Sequence, residues 1–265
     1  MDIQGKVALV TGAGSGIGRA SALRLAREGA ATVVVDVDEA GGRETVQQIE
    51  DAGGRAAFAR ADVANQEDVQ AMVAFAEESF GGLDILHNNA GIITGLPRFP
   101  DGEPEHWLPI LEVNLRGVIL GTHYGIQAMR KRGGGVIVNT ASMAGLAGYA
   151  GNPVYSASKG GVVLFTASLA PLKDELNIRV TCVCPGVVNT PMLTRTRSAV
   201  SEQERQAIEE RMRAIPLIPP EEIADIVVEF IQDDSLAGRA MRIVNGRPRE
   251  LTETPQPAQL RPIPQ

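Results

Sequence analysis

The 265-residue chain has few residues that could staple a fold or hold a metal: two cysteines and three histidines. Cys182 and Cys184 stand two apart in an apparent strand, so they share a face and sit poorly for a mutual disulfide. They read as buried core thiols, with a reactive thiol or a metal ligand as the alternatives. His87, His106 and His123 show no metal-ligand spacing and none is paired with a carboxylate motif, so they read as structural or surface residues and no metal is expected. There is no nucleophile elbow and no Cys-His pairing, which leaves hydrolysis unsupported. No apolar run approaches the ~20 residues that span a bilayer. The start, Met-Asp-Ile-Gln-Gly-Lys, lacks the basic, apolar, small-residue order of a secretory signal. A cytoplasmic protein with no membrane partner is expected. Basic residues are also short, 25 Lys and Arg against 32 Asp and Glu, and the net charge of -7 repels phosphate backbones. Nucleic acid is not an expected partner.

What is present suits one globular domain. Hydrophobic residues make up 44% and charged residues 22%, enough for a substantial core, and neither a repeat nor a composition shift marks a second domain. Short apolar runs alternate with amphipathic segments, the pattern of a parallel sheet with helices on both faces. Strands are predicted at Lys6 to Val10, Ala31 to Asp36, Ala56 to Ala61, Leu83 to His87, Gly135 to Asn139, Arg179 to Val183 and Met241 to Val244. Helical spacing covers Ile17 to Glu28, Glu39 to Ala52, Gln66 to Phe80, Pro104 to Lys131, Pro153 to Asn177 and Pro219 to Gln232. A domain over 1–250 follows, with a polar, proline-bounded stretch from Thr190 to Pro220 read as a lid. The tail 251–265, rich in Pro, Gln and Thr, cannot pack a core alone and is either loose or docked on a neighbour.

After the first strand comes Thr11-Gly12-Ala13-Gly14-Ser15-Gly16-Ile17-Gly18, opening a helix. Glycines there let the backbone approach a pyrophosphate, whose charge meets free N–H groups at the helix N-terminus. A tight strand-to-helix turn without ligand is the plain alternative, and the second strand argues against it. That strand ends at Asp36, 18 residues beyond Gly18, where a carboxylate can accept both ribose hydroxyls of an adenosine and would repel a 2′-phosphate. Ser15 and Val37, the flanking positions where a basic residue could neutralise that phosphate, are uncharged, so NAD is favoured over NADP.

These glycines, with Asn88-Asn89-Ala90-Gly91 after the fourth strand, Ser142 after the fifth and Tyr155-Ser156-Ala157-Ser158-Lys159, resemble the short-chain dehydrogenase/reductase family, from about Gly5 to Gly246. Cys184-Pro185-Gly186-Val187-Val188-Asn189-Thr190 and Asp233-Asp234-Ser235-Leu236-Ala237-Gly238 are most similar to its 15-hydroxyprostaglandin dehydrogenase-like members. The resemblance implies a single Rossmann-type doubly wound α/β domain with a seven-stranded parallel sheet. It implies that Asp62 and Val63 flank adenine and that Asn89, Ala90 and Gly91 lie along its ribose. Pro185, Gly186, Val188 and Thr190 then belong to the cofactor site, Val188 and Thr190 holding the nicotinamide carboxamide. A homodimer or homotetramer sharing the two long helices is implied as well. Two positions depart from the family: Val244-Asn245-Gly246-Arg247 replaces the usual Asp-Gly-Gly, which bears on the C-terminal interface, and Pro171 should kink the helix beyond Lys159.

Oxidising an alcohol needs a base at its oxygen and reducing a ketone needs an acid there; Tyr155 is the candidate for both. A free phenol titrates too high for a base near neutrality, so phenolate must be stabilised. Lys159, at i+4 on the same helix face, supplies a charge worth up to ~4 kcal/mol at ~4 Å. Ser142 can hydrogen-bond and polarise the reacting oxygen. By resemblance, Asn114 holds a water that links Lys159 to solvent. An NAD-dependent oxidoreductase acting on a secondary alcohol or ketone is therefore predicted. An NADPH-dependent ketoacyl reductase is disfavoured by Asp36, and a catalytically idle NAD-sensing protein by the complete set of four residues. Ile93, Leu96, Met143, Leu146, Tyr149, Val187, Met192 and Leu193 are predicted to line the substrate pocket, with Arg195 and Arg197 in the lid. The apolar character of those eight predicts a neutral small-molecule substrate, with Arg195 or Arg197 pairing an acidic one as the alternative.

Overall fold

The computed structural model describes residues 1–97, 99–193 and 215–252, together with Gln203, Gln206 and Glu210. Strands and helices alternate from the N-terminus: β1 (Val7–Thr11), α1 (Gly16–Arg27), β2 (Ala31–Asp36), α2 (Glu39–Asp51), β3 (Arg55–Arg60), α3 (Gln66–Phe80) and β4 (Ile85–Asn88). There follow α4 (Pro104–Leu111), a π-helical turn (Glu112–Arg116), α5 (Gly117–Lys131), β5 (Gly135–Thr140), α6 (Ala144–Ala147), α7 (Pro153–Ser168) and α8 (Leu172–Leu176). The described chain closes with β6 (Ile178–Pro185), α9 (Pro220–Gln232), β7 (Ala240–Ile243) and β8 (Glu250–Leu251).

The sheet runs in the order β3-β2-β1-β4-β5-β6-β7-β8. Alternation along each strand divides the core between its two faces. Ala8 and Val10 of β1, Val34 of β2 and Val136 and Val138 of β5 pack with Ala22 and Leu25 of α1 and Val227 and Ile231 of α9. Val7 and Leu9, Val33 and Val35, and Ile137 pack instead with Val69, Met72 and Val73 of α3 and Ala128 and Met129 of α5. Both strand faces being covered explains why these strands read as unbroken apolar runs. β1 lies between β2 and β4, so successive crossovers leave it in opposite directions, and a crevice opens beyond the carboxyl ends of the central strands.

The seven expected strands form and pair in parallel. β8 is an addition: the chain turns at Gly246 and lays Glu250 and Leu251 antiparallel against Arg242 and Met241, with Arg242 and Glu250 ion-paired. Leu251, expected in the tail, is thus part of the sheet; 253–265 lie outside the described residues, as do Arg195 and Arg197 and most of the predicted lid. Two expected helices are corrected. Pro104 to Lys131 is helical throughout but passes through a π turn, and Pro153 to Asn177 is two helices, because Pro171 offers no N–H and the first ends at Ser168. No helix among the described residues is long and apolar enough to cross a membrane.

Candidate active site

The glycine turn leaves β1 at Thr11 and enters α1 at Gly16, with Ser15 extended at the helix start and its hydroxyl making no capping bond. No acidic residue stands in the first turn, so the N–H groups of Ile17 and Gly18 face no competing carboxylate. Close packing explains the residue type. A Cβ on Gly12, which has φ +64°, would stand 2.9 Å from Ala90 Cα, and one on Gly18 would stand 2.1 Å from the Gly12 carbonyl oxygen. Thr190 reaches the same turn, its methyl lying 3.0 Å from where a Gly16 Cβ would be. The turn is therefore a backbone-lined cradle of the kind a pyrophosphate fits.

Asp36 ends β2 beside this cradle, its carboxylate accepting the Gly14 N–H at 2.8 Å and the Asp38 N–H at 2.9 Å. Those bonds fix its orientation and leave other lone pairs for ribose hydroxyls. Val37 is 54% exposed. Arg19, a basic residue missed at the sequence level, binds the Gly14 carbonyl at 2.5 Å and is ion-paired with Glu44 at 2.8 Å. Asp62 is exposed and accepts the Ala64 N–H at 2.9 Å, while Val63 is buried beneath Gly117.

The Asn89-Ala90-Gly91 turn is fastened to its neighbours. Asn89 and Ala90 donate their N–H groups to the Thr11 hydroxyl at 3.0 and 3.1 Å. The Asn89 amide donates to the Thr11 carbonyl at 3.0 Å and accepts the Thr140 hydroxyl at 3.4 Å. The Asn89 side chain thus ties the end of β1 to the end of β5. His87 Nε2 meets the Thr140 hydroxyl at 2.8 Å. Because that hydroxyl gives its proton to Asn89, the imidazole must donate through Nε2 and keep Nδ1 unprotonated. Complete burial holds its pKa down at about 3, so it stays neutral. His106 meets the Gly95 carbonyl, and His123 lies against Gln127.

The four predicted catalytic residues converge from three elements. Asn114 sits in the π turn, fully buried, accepting the Ile92 N–H at 2.7 Å and donating to the Ile92 carbonyl at 2.9 Å and to Ser158 Oγ at 3.3 Å. Single π turns inside α-helices are frequent at functional sites. Ser142 follows β5, its hydroxyl accepting the Ala144 N–H at 3.1 Å and standing near enough to the Tyr155 phenol to lower its pKa. Tyr155 lies in the first turn of α7, which Asn152 caps by accepting the Tyr155 N–H at 3.0 Å. Lys159, one turn on and only 3% exposed, donates to the Thr140 carbonyl at 2.8 Å. Gly91 completes the cluster, since a Cβ there would stand 3.3 Å from both Asn114 Oδ1 and Lys159 Nζ.

Desolvation pushes the Tyr155 phenol above its ordinary range and the Ser142 hydroxyl pulls it back, while Lys159 gives one of its three donors to the Thr140 carbonyl. The same burial lowers Lys159 to about 8. Cys182 and Cys184 are free and buried behind it, with their sulfurs 3.9 Å apart. Leu96, Pro97, Phe99 and Asp101 face Ala150 and Gly151, which lead into α7, across a pocket of about 620 Å³. Leu96, Leu146, Tyr149 and Met192, four of the predicted pocket residues, are substantially exposed.

The profile of a family described as short chain dehydrogenase matches residues 6–201. The chain is similar to the cyclohexanol dehydrogenase of Acinetobacter sp. strain SE19, 38% identical over 233 residues, covering 87% of this chain and 89% of that one. It is similar to the 15-hydroxyprostaglandin dehydrogenase [NAD(+)] of Bos taurus, 36% identical over 262 residues, covering 93% and 94%. Among solved structures, levodione reductase superposes with a TM-score of 0.84 at 33% identity, over 91% of this chain and 96% of that one.

A lysine that titrates lower when folded than when unfolded costs stability while it is protonated, and the cost fades as pH rises from the folded pKa toward the unfolded one. For Lys159 that window runs from about 8 to 10.5, and the cost below it is about 3 kcal/mol with the bond to Thr140 already included; an apolar replacement leaves the Thr140 carbonyl unpaired, at about 1 kcal/mol. Lys159→Met should therefore unfold about 2 kcal/mol harder than wild type at pH 7, with the gap closing as pH approaches 10. Urea unfolding across that range measures it; a variant less stable than wild type at pH 7 would contradict the assignment.

Proposed function

Because the chain belongs to the short chain dehydrogenase family and is an oxidoreductase of alcohols and ketones, we propose that it oxidises a neutral, largely apolar secondary alcohol with NAD. When bound, NAD would supply the hydride acceptor for the carbinol carbon, and its reduced form the donor for the reverse direction. Gly12, Ser15, Gly16, Ile17 and Gly18 would hold the pyrophosphate, Asp36 the adenosine ribose, Asp62 and Val63 the adenine, and Val188 and Thr190 the carboxamide. Tyr155 removes the hydroxyl proton during oxidation and gives it back during reduction, while the Ser142 hydroxyl bonds the same oxygen. Lys159, titrating near 8, stands within range of neutrality to pass that proton on. Asn114 keeps the lysine's surroundings fixed through Ile92 and Ser158.

One observation carries the substrate class: the pocket beside the residues that lead into α7 presents Leu96, Pro97 and Phe99, and the charge among its described lining is Asp101, which repels a carboxylate. The cyclohexanol and levodione enzymes named above support a ring-bearing substrate. Following NADH absorbance with cyclic secondary alcohols and their carboxylated analogues tests this. Turnover should favour the neutral compounds, and Tyr155→Phe should lower kcat by at least about 10²-fold while NADH still binds. A preference for the acids would overturn the substrate class, and an unimpaired Tyr155→Phe the mechanism.

NAD is favoured over NADP because Asp36 would meet a 2′-phosphate with like charge and Arg19, the nearby cation, is held by Glu44. Asp36→Ala with Val37→Arg should move the kcat/KM ratio toward NADP. An unchanged ratio would mean that Asp36 does not face the ribose. Homo-oligomerisation belongs to the same proposal, since Leu108 of α4, Ile119 of α5 and Leu164 of α7 are exposed apolar side chains on the helices expected to be shared. Sedimentation at micromolar concentration should show a species heavier than the 28.1 kDa chain; a monomer alone would end this part of the proposal.

A further inference from the structure

Asn245 stands just beyond β7, at the position where the family's Asp-Gly-Gly is replaced, and its side chain makes a three-way joint. Its Oδ1 accepts the Val187 N–H at 2.9 Å, and its Nδ2 donates to the Val187 carbonyl at 2.8 Å and to the Pro216 carbonyl at 3.0 Å. The amide pairs with the Val187 backbone as a neighbouring strand would. Its third bond grips the segment that returns at 215–218. Those two stems also hold each other: Val188 and Ile218 form a parallel bridge, Asn189 donates to the Ile218 carbonyl at 2.9 Å, and Ile218 donates to the Val187 carbonyl at 3.0 Å.

The chemistry of the joint is specific to an amide. It needs one acceptor and two donors on a short side chain; an aspartate at this position keeps the acceptor but turns a carboxylate oxygen toward two carbonyl oxygens. The surroundings are built to match. A Cβ on Gly186 would stand 2.3 Å from Asn245 Oδ1, so only glycine permits the approach, and the Gly186 N–H is bonded to the Ile243 carbonyl at 2.8 Å. Immediately past Val187 come Val188 and Thr190, the latter touching the glycine cradle at Gly16.

We propose that Asn245 is a positioning residue for the nicotinamide half of the cofactor: by clamping Val187 to the returning stem at Pro216, it fixes where Val188 and Thr190 stand. This rests on the NAD reading above. The adenosine half would be held by β1, β2 and α1, which make none of the joint's hydrogen bonds. Selectivity between the two halves therefore separates positioning from general damage.

Intrinsic NADH fluorescence measures affinity for the whole cofactor, and competition by ADP-ribose measures affinity for the part lacking nicotinamide. Asn245→Ala and Asn245→Asp should each weaken NADH about tenfold, the scale of one to two lost hydrogen bonds, and change ADP-ribose by less than about twofold. For Asn245→Asp the NADH deficit should be smaller at pH 5 than at pH 8, because a protonated carboxyl regains one donor. Equal losses for both nucleotides, or none for either, would overturn the inference while leaving the NAD reading intact. A wild-type protein binding neither nucleotide would overturn the NAD reading and this inference with it.

Discussion

The contact on which the site depends is between one ammonium and one carbonyl: Lys159 Nζ on the Thr140 oxygen. A lysine this deeply buried is costly unless its donors are met, and Thr140 meets one from the carboxyl end of β5. That contact fixes α7 against the sheet edge and brings Tyr155, one helical turn earlier, over the crevice. Thr140 is in turn held by its hydroxyl, which joins His87 of β4 to Asn89 of the following turn. Thr11 completes the chain of bonds by accepting the N–H groups of Asn89 and Ala90. Three adjacent strands thus end in one polar network, and both the glycine cradle and the catalytic cluster hang from it.

The site therefore couples two problems that look separate. The cradle requires close backbone approach, and that approach runs through Ala90 against Gly12. The acid–base cluster requires a buried cation, and its carbonyl partner belongs to the residue whose hydroxyl orders the Asn89 turn. Neutral His87 suits this place better than a charged side chain would, since it donates one bond to Thr140 and brings no charge next to Lys159. The polar atoms at the sheet edge are shared between cofactor cradle and catalysis.

Much of this was legible in the sequence because the relevant signals are local. The glycine turn, Asp36 at a strand end and the i+4 spacing of Tyr155 and Lys159 are each set by a few neighbouring residues. Apolar strand runs were equally plain, as both faces of the sheet are covered. What escaped notice depends on distant partners. Thr11, Thr140 and His87 are ordinary strand residues until the parallel register sets them side by side. Asn245 was visible only as a departure from a motif, and its meaning required Val187 and Pro216, 58 and 29 positions away. Asn152 could have been found, since Asn before Pro is a helix-start signal. The π turn at Asn114 has no pattern of its own, and the sign of the Tyr155 shift follows from burial, which spacing does not reveal.

β8 is two residues long, yet it alters what the sheet can become. A parallel sheet that ended at β7 would present a bare row of N–H and carbonyl groups, able to recruit a strand from any chain that offered one. Here Met241 and Arg242 are already paired, the Thr252 N–H takes the Ala240 carbonyl, and the Arg242–Glu250 ion pair places charge on the margin. The border is thereby moved to a strand only two residues long, which offers another chain little to pair with. Copies that meet through a shared two-fold face stop at a fixed number, whereas copies that meet by adding strands head to tail can go on adding them. A two-residue strand is a small device for keeping an association finite.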